Sequence, residues 1–171
     1  MTESASGRIA AGGLVAGSVL GMAGTFVPSA PIRGLLWGMD GIALVVATAL
    51  LAIYYVRKGD EIVSAGFLVF AFGETLIVSS AAMDLAASTP VFGAGAGLWA
   101  AALCLLSLPK VGAAWVRVIG AIAALLFAVV AVQSFMGSAI TPLSQPLPYF
   151  AYPFLVASLL GWAWQRCRSA S

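Results

Sequence analysis

Residues 62–83 constrain this chain more than any other segment, because they are long enough to cross a membrane and carry a single acid. A helix needs roughly 20 apolar residues to span the hydrocarbon core of a bilayer, and this segment supplies that length. Its only ionisable side chain, Glu74, lies near the middle. A charged side chain at the centre of a membrane helix costs on the order of 2.5–3.5 kcal/mol. Glu74 therefore requires a partner, a bound proton or a water-filled cavity.

The helix that carries Glu74 offers it no partner. Steps of three and four residues reach only uncharged side chains, namely Val63, Phe67, Phe70, Val78, Ala81 and Leu85. All eight Lys and Arg residues fall at predicted helix ends, so no basic side chain is expected at the depth of Glu74. We expect Glu74 to be neutral for much of the time at neutral pH, because burial without a counter-charge disfavours the ionised form.

Two interpretations of Glu74 stay open, and the sequence favours them about equally. In the first, the acid exchanges a proton or binds a solute and acts as a coupling or gating site. In the second, protonated Glu74 hydrogen-bonds a backbone carbonyl or a hydroxyl group on a neighbouring helix and only fixes helix packing.

The composition indicates that lipid is the solvent for most of the chain. Of the 171 residues, 62% are hydrophobic and only 8% are charged, and the mean hydropathy is +1.06. The surface of a soluble domain is typically about a quarter to a third charged. A net charge of +2 without a basic run excludes nucleic acid as a partner.

Residues for redox, metal or acid–base chemistry are scarce. The chain has no histidine, the commonest general base and a usual haem or zinc ligand. Cys104 falls within a predicted span and Cys167 after the last one, so they predict neither a disulfide nor a metal site. No nucleophile with a nearby base is recognisable. We expect no cofactor, no metal and no enzymatic activity.

Apolar runs separated by short connections predict six membrane-spanning helices. We place them at residues 9–27, 35–56, 62–83, 92–108, 116–136 and 149–164. Residues 1–7 are then a polar tail, and residues 28–34 and 85–90 are turns that contain proline. The longest connection, 137–148, is the best candidate for a lid or a partner-binding loop. The predicted fold class is an all-α membrane protein, a six-transmembrane-helix bundle forming one integral membrane domain over residues 1–171.

Three glycines, Gly13, Gly17 and Gly21, lie four residues apart on one face of the first predicted helix. Small residues at this spacing let a neighbouring helix approach closely. We favour packing inside the monomer over homodimerisation as their role. A further glycine group at residues 93–97 predicts another close helix contact at the start of the fourth span.

Basic residues are distributed unequally between the two ends of the predicted spans. One side carries seven of them, namely Arg8, Arg57, Lys58, Lys110, Arg117, Arg166 and Arg168. The other side carries only Arg33. Because short cytoplasmic loops are enriched in Lys and Arg, both termini are expected to be cytoplasmic.

The opposite side collects an outer-side polar cluster, which is a second candidate site. It comprises Arg33, Asp40, Asp84 and Gln133. Asp40 lies about a turn and a half inside the second predicted span. We expect it to pair with Arg33 or to cap its helix rather than to bind a ligand.

The sequence supports two functions. A small transporter or channel subunit would use Glu74 to bind a proton or a polar solute, and at this chain length it would need to form a homo-oligomer. A non-catalytic accessory or assembly subunit of a larger membrane complex would need only the helical bundle. The lipid bilayer is a partner in both cases. The Ala- and Gly-rich composition favours a bacterial inner membrane, as a multi-pass plasma membrane protein.

Overall fold

All regular secondary structure in the described chain is helical. The structure, a computed structural model, describes residues 3–168. Its helices are α1 (Glu3–Phe26), α2 (Ala30–Arg57), α3 (Glu61–Ser80), α4 (Leu85–Ser107), α5 (Ala114–Phe135) and α6 (Tyr152–Arg168), with a 3₁₀ turn at Tyr149–Ala151. Residues 1–2 of the predicted polar tail lie outside the described residues, and the rest of that tail already belongs to α1.

Each helix packs against the next one along the chain, and α6 closes the bundle into a ring by packing against α1. Short connections make consecutive helices antiparallel. Gly7 near the start of α1 lies against Arg166 near the end of α6. At the opposite end, the ring centroids of Phe26 and Tyr149 are 6.2 Å apart. We call the end with the start of α1 and the end of α6 the terminal end, and the opposite end the distal end.

Five of the helices, α1 to α5, are long and apolar enough to cross a membrane by length and composition. Their outward faces carry large apolar side chains such as Ile42 and Leu125, which are 70% and 67% exposed. The sixth helix has 17 residues, which at 1.5 Å per residue gives a length of about 26 Å. The described chain thus has the all-helical architecture and the apolar outer surface of an all-α membrane protein.

The predicted turn at residues 85–90 is wrong, because α4 begins at Leu85 and includes Pro90. Asp84 is the N-cap of this helix, and its Oδ1 atom accepts hydrogen bonds from the backbone N–H groups of Ala86 (3.0 Å) and Ala87 (3.1 Å). Those bonds satisfy N–H groups that have no partner inside a helix. As a result α3 ends at Ser80, earlier than predicted, and Glu74 lies six residues before its end.

The predicted turn at residues 28–34 is shorter than expected, since α2 already begins at Ala30. Pro31 falls in the first turn of α2, where a proline lacks only an N–H group that would be unpaired anyway. Pro153 takes the same place in α6. Both prolines therefore start helices instead of interrupting them.

The glycines of α1 pack against α2 within the monomer, as predicted. A methyl group added at Gly13 would come within 2.9 Å of the Ala43 carbonyl oxygen, and one added at Gly17 would come within 2.5 Å of Leu44. Larger side chains at these positions would push the two helices apart, so the glycines permit their close approach.

Aromatic side chains fill the interior of the ring toward the terminal end. Tyr55 of α2, Phe67 of α3 and Trp162 of α6 are in mutual contact, with ring centroids 5.2–5.8 Å apart. We call these three residues the aromatic seal. They bring together three helices across the ring at this depth.

Candidate functional site

A cavity of about 60 Å³ lies inside the ring, in its distal half. Its depth follows from two positions, since Asp40 is ten residues after the distal start of α2 and Glu74 is six residues before the distal end of α3. Residues from α1, α2, α3, α4, α6 and the 137–148 connection surround it. The polar side chains among them are Ser18, Thr25, Trp37, Asp40, Glu74, Trp99 and Tyr152.

Glu74 is 1% exposed and reaches the cavity from α3. It faces α2 at a glycine, because a methyl group added at Gly41 would lie 3.5 Å from Glu74 Oε1. Gly41 follows Asp40 directly, so the two acids of neighbouring antiparallel helices meet at one depth. The prediction that any partner of Glu74 lies on another helix therefore leads to a second carboxyl group, not to a base.

Asp40 occupies space that the glycines of α1 leave open. A methyl group at Gly21 would come within 2.5 Å of Asp40 Oδ2, and one at Gly17 within 3.1 Å of Asp40 Oδ1. The expected pairing of Asp40 with Arg33 is not formed. Arg33 instead donates a hydrogen bond from Nη1 to the Val27 carbonyl oxygen (3.2 Å), and its guanidinium lies 5.7 Å from the Trp37 ring centroid. The alternative expectation, a capping role for Asp40, also fails, because this residue lies well inside α2.

Four buried polar atoms that line the cavity have no hydrogen-bond partner among the described residues. They are Ser18 Oγ, Asp40 Oδ1, Glu74 Oε2 and Trp99 Nε1. Buried polar groups are hydrogen-bonded in the large majority of cases, and each one left without a partner costs about 1–3 kcal/mol. Their grouping around one space, which has room for a few water molecules, indicates a binding site for a polar occupant.

Among the described residues, the cavity is lined by two carboxyl groups and by no Lys or Arg residue. Two ionised carboxylates in so small a space would repel each other without a nearby counter-charge. At least one proton or one cation is therefore expected to accompany them.

The distal side of the cavity is covered by the 137–148 connection. The Tyr152 hydroxyl donates a hydrogen bond to the Pro142 carbonyl oxygen (3.0 Å), and Trp37 Nε1 donates one to the Gly21 carbonyl oxygen (3.2 Å). A groove of about 290 Å³ lies beyond, and it shares Trp37, Ala81 and Pro142 with the cavity lining. These three residues separate the cavity from the distal surface.

The terminal side of the cavity is closed by packing. Phe67 precedes Glu74 by seven residues on α3, which places it about 10 Å closer to the terminal end. There it belongs to the aromatic seal. The shorter route between the cavity and the outside is therefore the distal one.

The structure separates the members of the predicted outer-side polar cluster. Arg33 lines the distal groove, and Asp40 lines the cavity. Asp84 caps α4, and Gln133 is exposed near the end of α5; neither lines the cavity or the groove. The two cysteines are both free and exposed. Within the described residues, no group of three or more acidic or Cys side chains is placed to hold a metal ion.

Sequence reasoning missed five polar residues of the site: Ser18, Thr25, Trp37, Trp99 and Tyr152. No sequence signal distinguishes them from ordinary residues of a membrane helix. The meeting of Asp40 with Glu74 had only a partial signal, because the two acids lie on consecutive antiparallel spans at unequal predicted depths. Asp40 is five residues and Glu74 nine residues from the same side of the predicted spans 35–56 and 62–83.

Comparisons of the chain with models of known protein families, with curated proteins and with solved structures found no match.

Proposed function

We propose that this chain is a small transporter or channel subunit that binds a proton or a small polar solute between Asp40 and Glu74. One observation carries the proposal. Two carboxyl groups, each with a buried oxygen that lacks a partner among the described residues, line one cavity without a basic residue. Ionisable groups in membrane spans that face a cavity mark ion or substrate pathways.

The proposal includes a topology of six spans with both termini in the cytoplasm. The sixth helix completes the ring by packing against α1 and α5, so it occupies the same layer as the five longer helices. The terminal end carries Lys58 and Lys110 on its connections and Arg57 as the last residue of α2, whereas the distal end has Arg33 in the first turn of α2 and no Lys or Arg on its connections. The bias of basic residues favours a cytoplasmic terminal end. A bacterial inner membrane remains our proposal for the location.

Passage through such a protein requires two openings in turn. The occupant reaches the carboxyl groups from the distal groove when Trp37 or Pro142 moves aside. It leaves toward the terminal end when the aromatic seal separates. A carboxyl group that binds the occupant between the two openings provides the coupling.

The test is flux through proteoliposomes that contain the purified protein, measured with an internal pH indicator after an imposed pH step. We expect Glu74→Gln to abolish the flux while the protein elutes from size-exclusion chromatography as the wild type does. The matched control is Glu61→Gln, the same substitution in the first turn of α3, which should leave the flux intact. Wild-type flux in both Glu74→Gln and Glu74→Ala would overturn the proposal.

An accessory subunit of a larger membrane complex is the second candidate, and the aromatic seal favours it, because its three side chains pack across the interior of the ring. In this case Glu74 acts only in packing. Glu74→Gln would then leave assembly unchanged, and Glu74→Ala or Glu74→Leu would disrupt it. Crosslinking in native membranes, followed by identification of the attached chains, would reveal the partner complex.

A further inference from the structure

We propose that the occupant of the cavity is a small monovalent cation of the size of Na⁺, which competes with a proton for the oxygens of Asp40 and Glu74. This inference rests on the proposed function of the site and names its ligand. The cavity, with a volume of about 60 Å³, accommodates a dehydrated alkali cation with one or two waters.

The polar residues of the lining suit a cation that prefers oxygen ligands. Asp40 and Glu74, which carry carboxyl groups, line the cavity together with Ser18 and Thr25, which carry hydroxyl groups. Thr25 donates its own proton to the Gly21 carbonyl oxygen (3.0 Å), which leaves its oxygen lone pairs available. Hard cations take carboxylate, hydroxyl and water oxygens as ligands. An anion would meet two acids and no basic side chain.

The number of acids favours a monovalent ion over a divalent one. Protein Ca²⁺ sites typically supply six to eight oxygen ligands, several of them from acidic residues. This cavity has two carboxyl groups, and no third acidic residue lines it. One monovalent cation together with one proton neutralises the pair. A second proton in place of the cation does the same, so the cation and the second proton compete for the site.

This competition involves few other groups. Among the residues that line the cavity, the titratable ones are Asp40 from α2, Glu74 from α3 and Tyr152 from α6. The helices α1 and α4 and the 137–148 connection contribute Ser18, Thr25, Trp99 and Pro142, none of which titrates. Arg33 is the nearest charged residue along α2, and it lines the groove outside the cavity.

The test is equilibrium binding of radiolabelled sodium to the full chain in nanodiscs, with choline chloride holding the ionic strength constant. We expect saturable binding of one ion per chain at about pH 8, weakening about tenfold per pH unit in the acidic range, because each bound cation displaces one proton. Asp40→Asn and Glu74→Gln should abolish binding. Glu61→Gln and Asp84→Asn remove acids outside the cavity and should retain it. Asn also serves as a good N-cap at residue 84.

A milder variant covers the case in which removal of a carboxyl group prevents folding. Ser18→Ala removes one hydroxyl ligand from a buried position, and we expect it to weaken sodium binding about tenfold. Size-exclusion chromatography checks the fold of each variant. If Ser18→Ala, Asp40→Asn and Glu74→Gln all fold and bind sodium as the wild type does, the proposal is overturned.

Two further outcomes would overturn the proposal while leaving the proposed function intact. The first is that no sodium binds although Glu74→Gln still abolishes proton flux, which would make the cavity a proton site only. The second is that Ca²⁺ or Mg²⁺ displaces the label at a concentration tenfold below that of unlabelled Na⁺, which would make it a divalent site. Loss of both sodium binding and Glu74-dependent flux would remove the proposed function as well.

Discussion

The two halves of the ring interior are built in opposite ways. The terminal half is filled by the aromatic seal, in which Tyr55, Phe67 and Trp162 lie in mutual contact and Phe67 is fully buried. The distal half holds a cavity, and the buried polar atoms around it have no partner among the described residues. The same six helices thus form a tightly packed half and an open polar half.

The difference separates stability from function. Close packing gains many small dispersion contacts, so the terminal half holds the ring together. Buried polar atoms without partners oppose folding, so the distal half reduces stability. Binding and active sites typically contain groups that lower the stability of the folded protein. Substitutions in the two halves test this division, and they differ in the loss of stability that we expect from each.

The largest loss is expected in the terminal half. Phe67→Ala should lower the free energy of unfolding by about 3–5 kcal/mol, because the seal cannot collapse around the missing ring. The matched control is Phe72→Ala on the same helix, since Phe72 is 59% exposed on the outer surface. Denaturation in detergent micelles, followed by circular dichroism, measures both. Equal losses in the two variants would show that the seal is not the stabilising element.

The next largest effect concerns the contact between α1 and α2. Gly21→Ala places a methyl group 2.5 Å from Asp40 Oδ2, so either the helices separate or the carboxyl group moves. We expect a destabilisation of about 1–3 kcal/mol together with reduced flux. Gly12→Ala is the control on the same helix, because a methyl group there would meet nothing within 4 Å. A Gly21→Ala variant with wild-type stability and flux would contradict the place assigned to Asp40.

A smaller effect is expected at the distal cover. Tyr152→Phe removes the hydrogen bond to the Pro142 carbonyl oxygen, which typically contributes about 0.5–1.5 kcal/mol. Amide hydrogen exchange in residues 137–148 should become faster, because the connection opens more often. Tyr149→Phe is the control, since the Tyr149 hydroxyl has no hydrogen bond within the described part of the chain. Unchanged exchange in Tyr152→Phe would show that this bond does not hold the cover closed.

The smallest change in stability is expected from the residue with the largest expected effect on flux. Glu74→Gln keeps the shape of the side chain, so its free energy of unfolding should stay within about 1 kcal/mol of the wild type. Glu61→Gln, in the first turn of α3, is again the matched control for the free energy of unfolding. A loss of several kcal/mol in Glu74→Gln would mean that the carboxyl group of Glu74 itself stabilises the fold, and the division between the two halves would fail.

Local signals in the sequence were sufficient for the helices and insufficient for some of their ends. The run of apolar residues is long enough to identify every helix. At residues 85–90, however, Pro90 suggests a turn, whereas Asp84 caps a helix that includes Pro90 by accepting two backbone hydrogen bonds. The residue types alone do not show that the Asp84 side chain is placed to accept those bonds. The shift of a few residues moved Glu74 from the middle of its helix toward the distal end.

The sequence by itself determined the all-helical architecture with long apolar helices, the close glycine contact between α1 and α2, and the burial of the acid Glu74. These follow from hydrophobic length, residue size and the desolvation of charge, all of which act along the chain. Only the tertiary structure decided that Asp40 belongs with Glu74 and not with Arg33, that Ser18, Trp99 and Tyr152 share their cavity, and that an aromatic seal closes one side. Those relations join residues of different helices, and closing the ring through α6 brings them together.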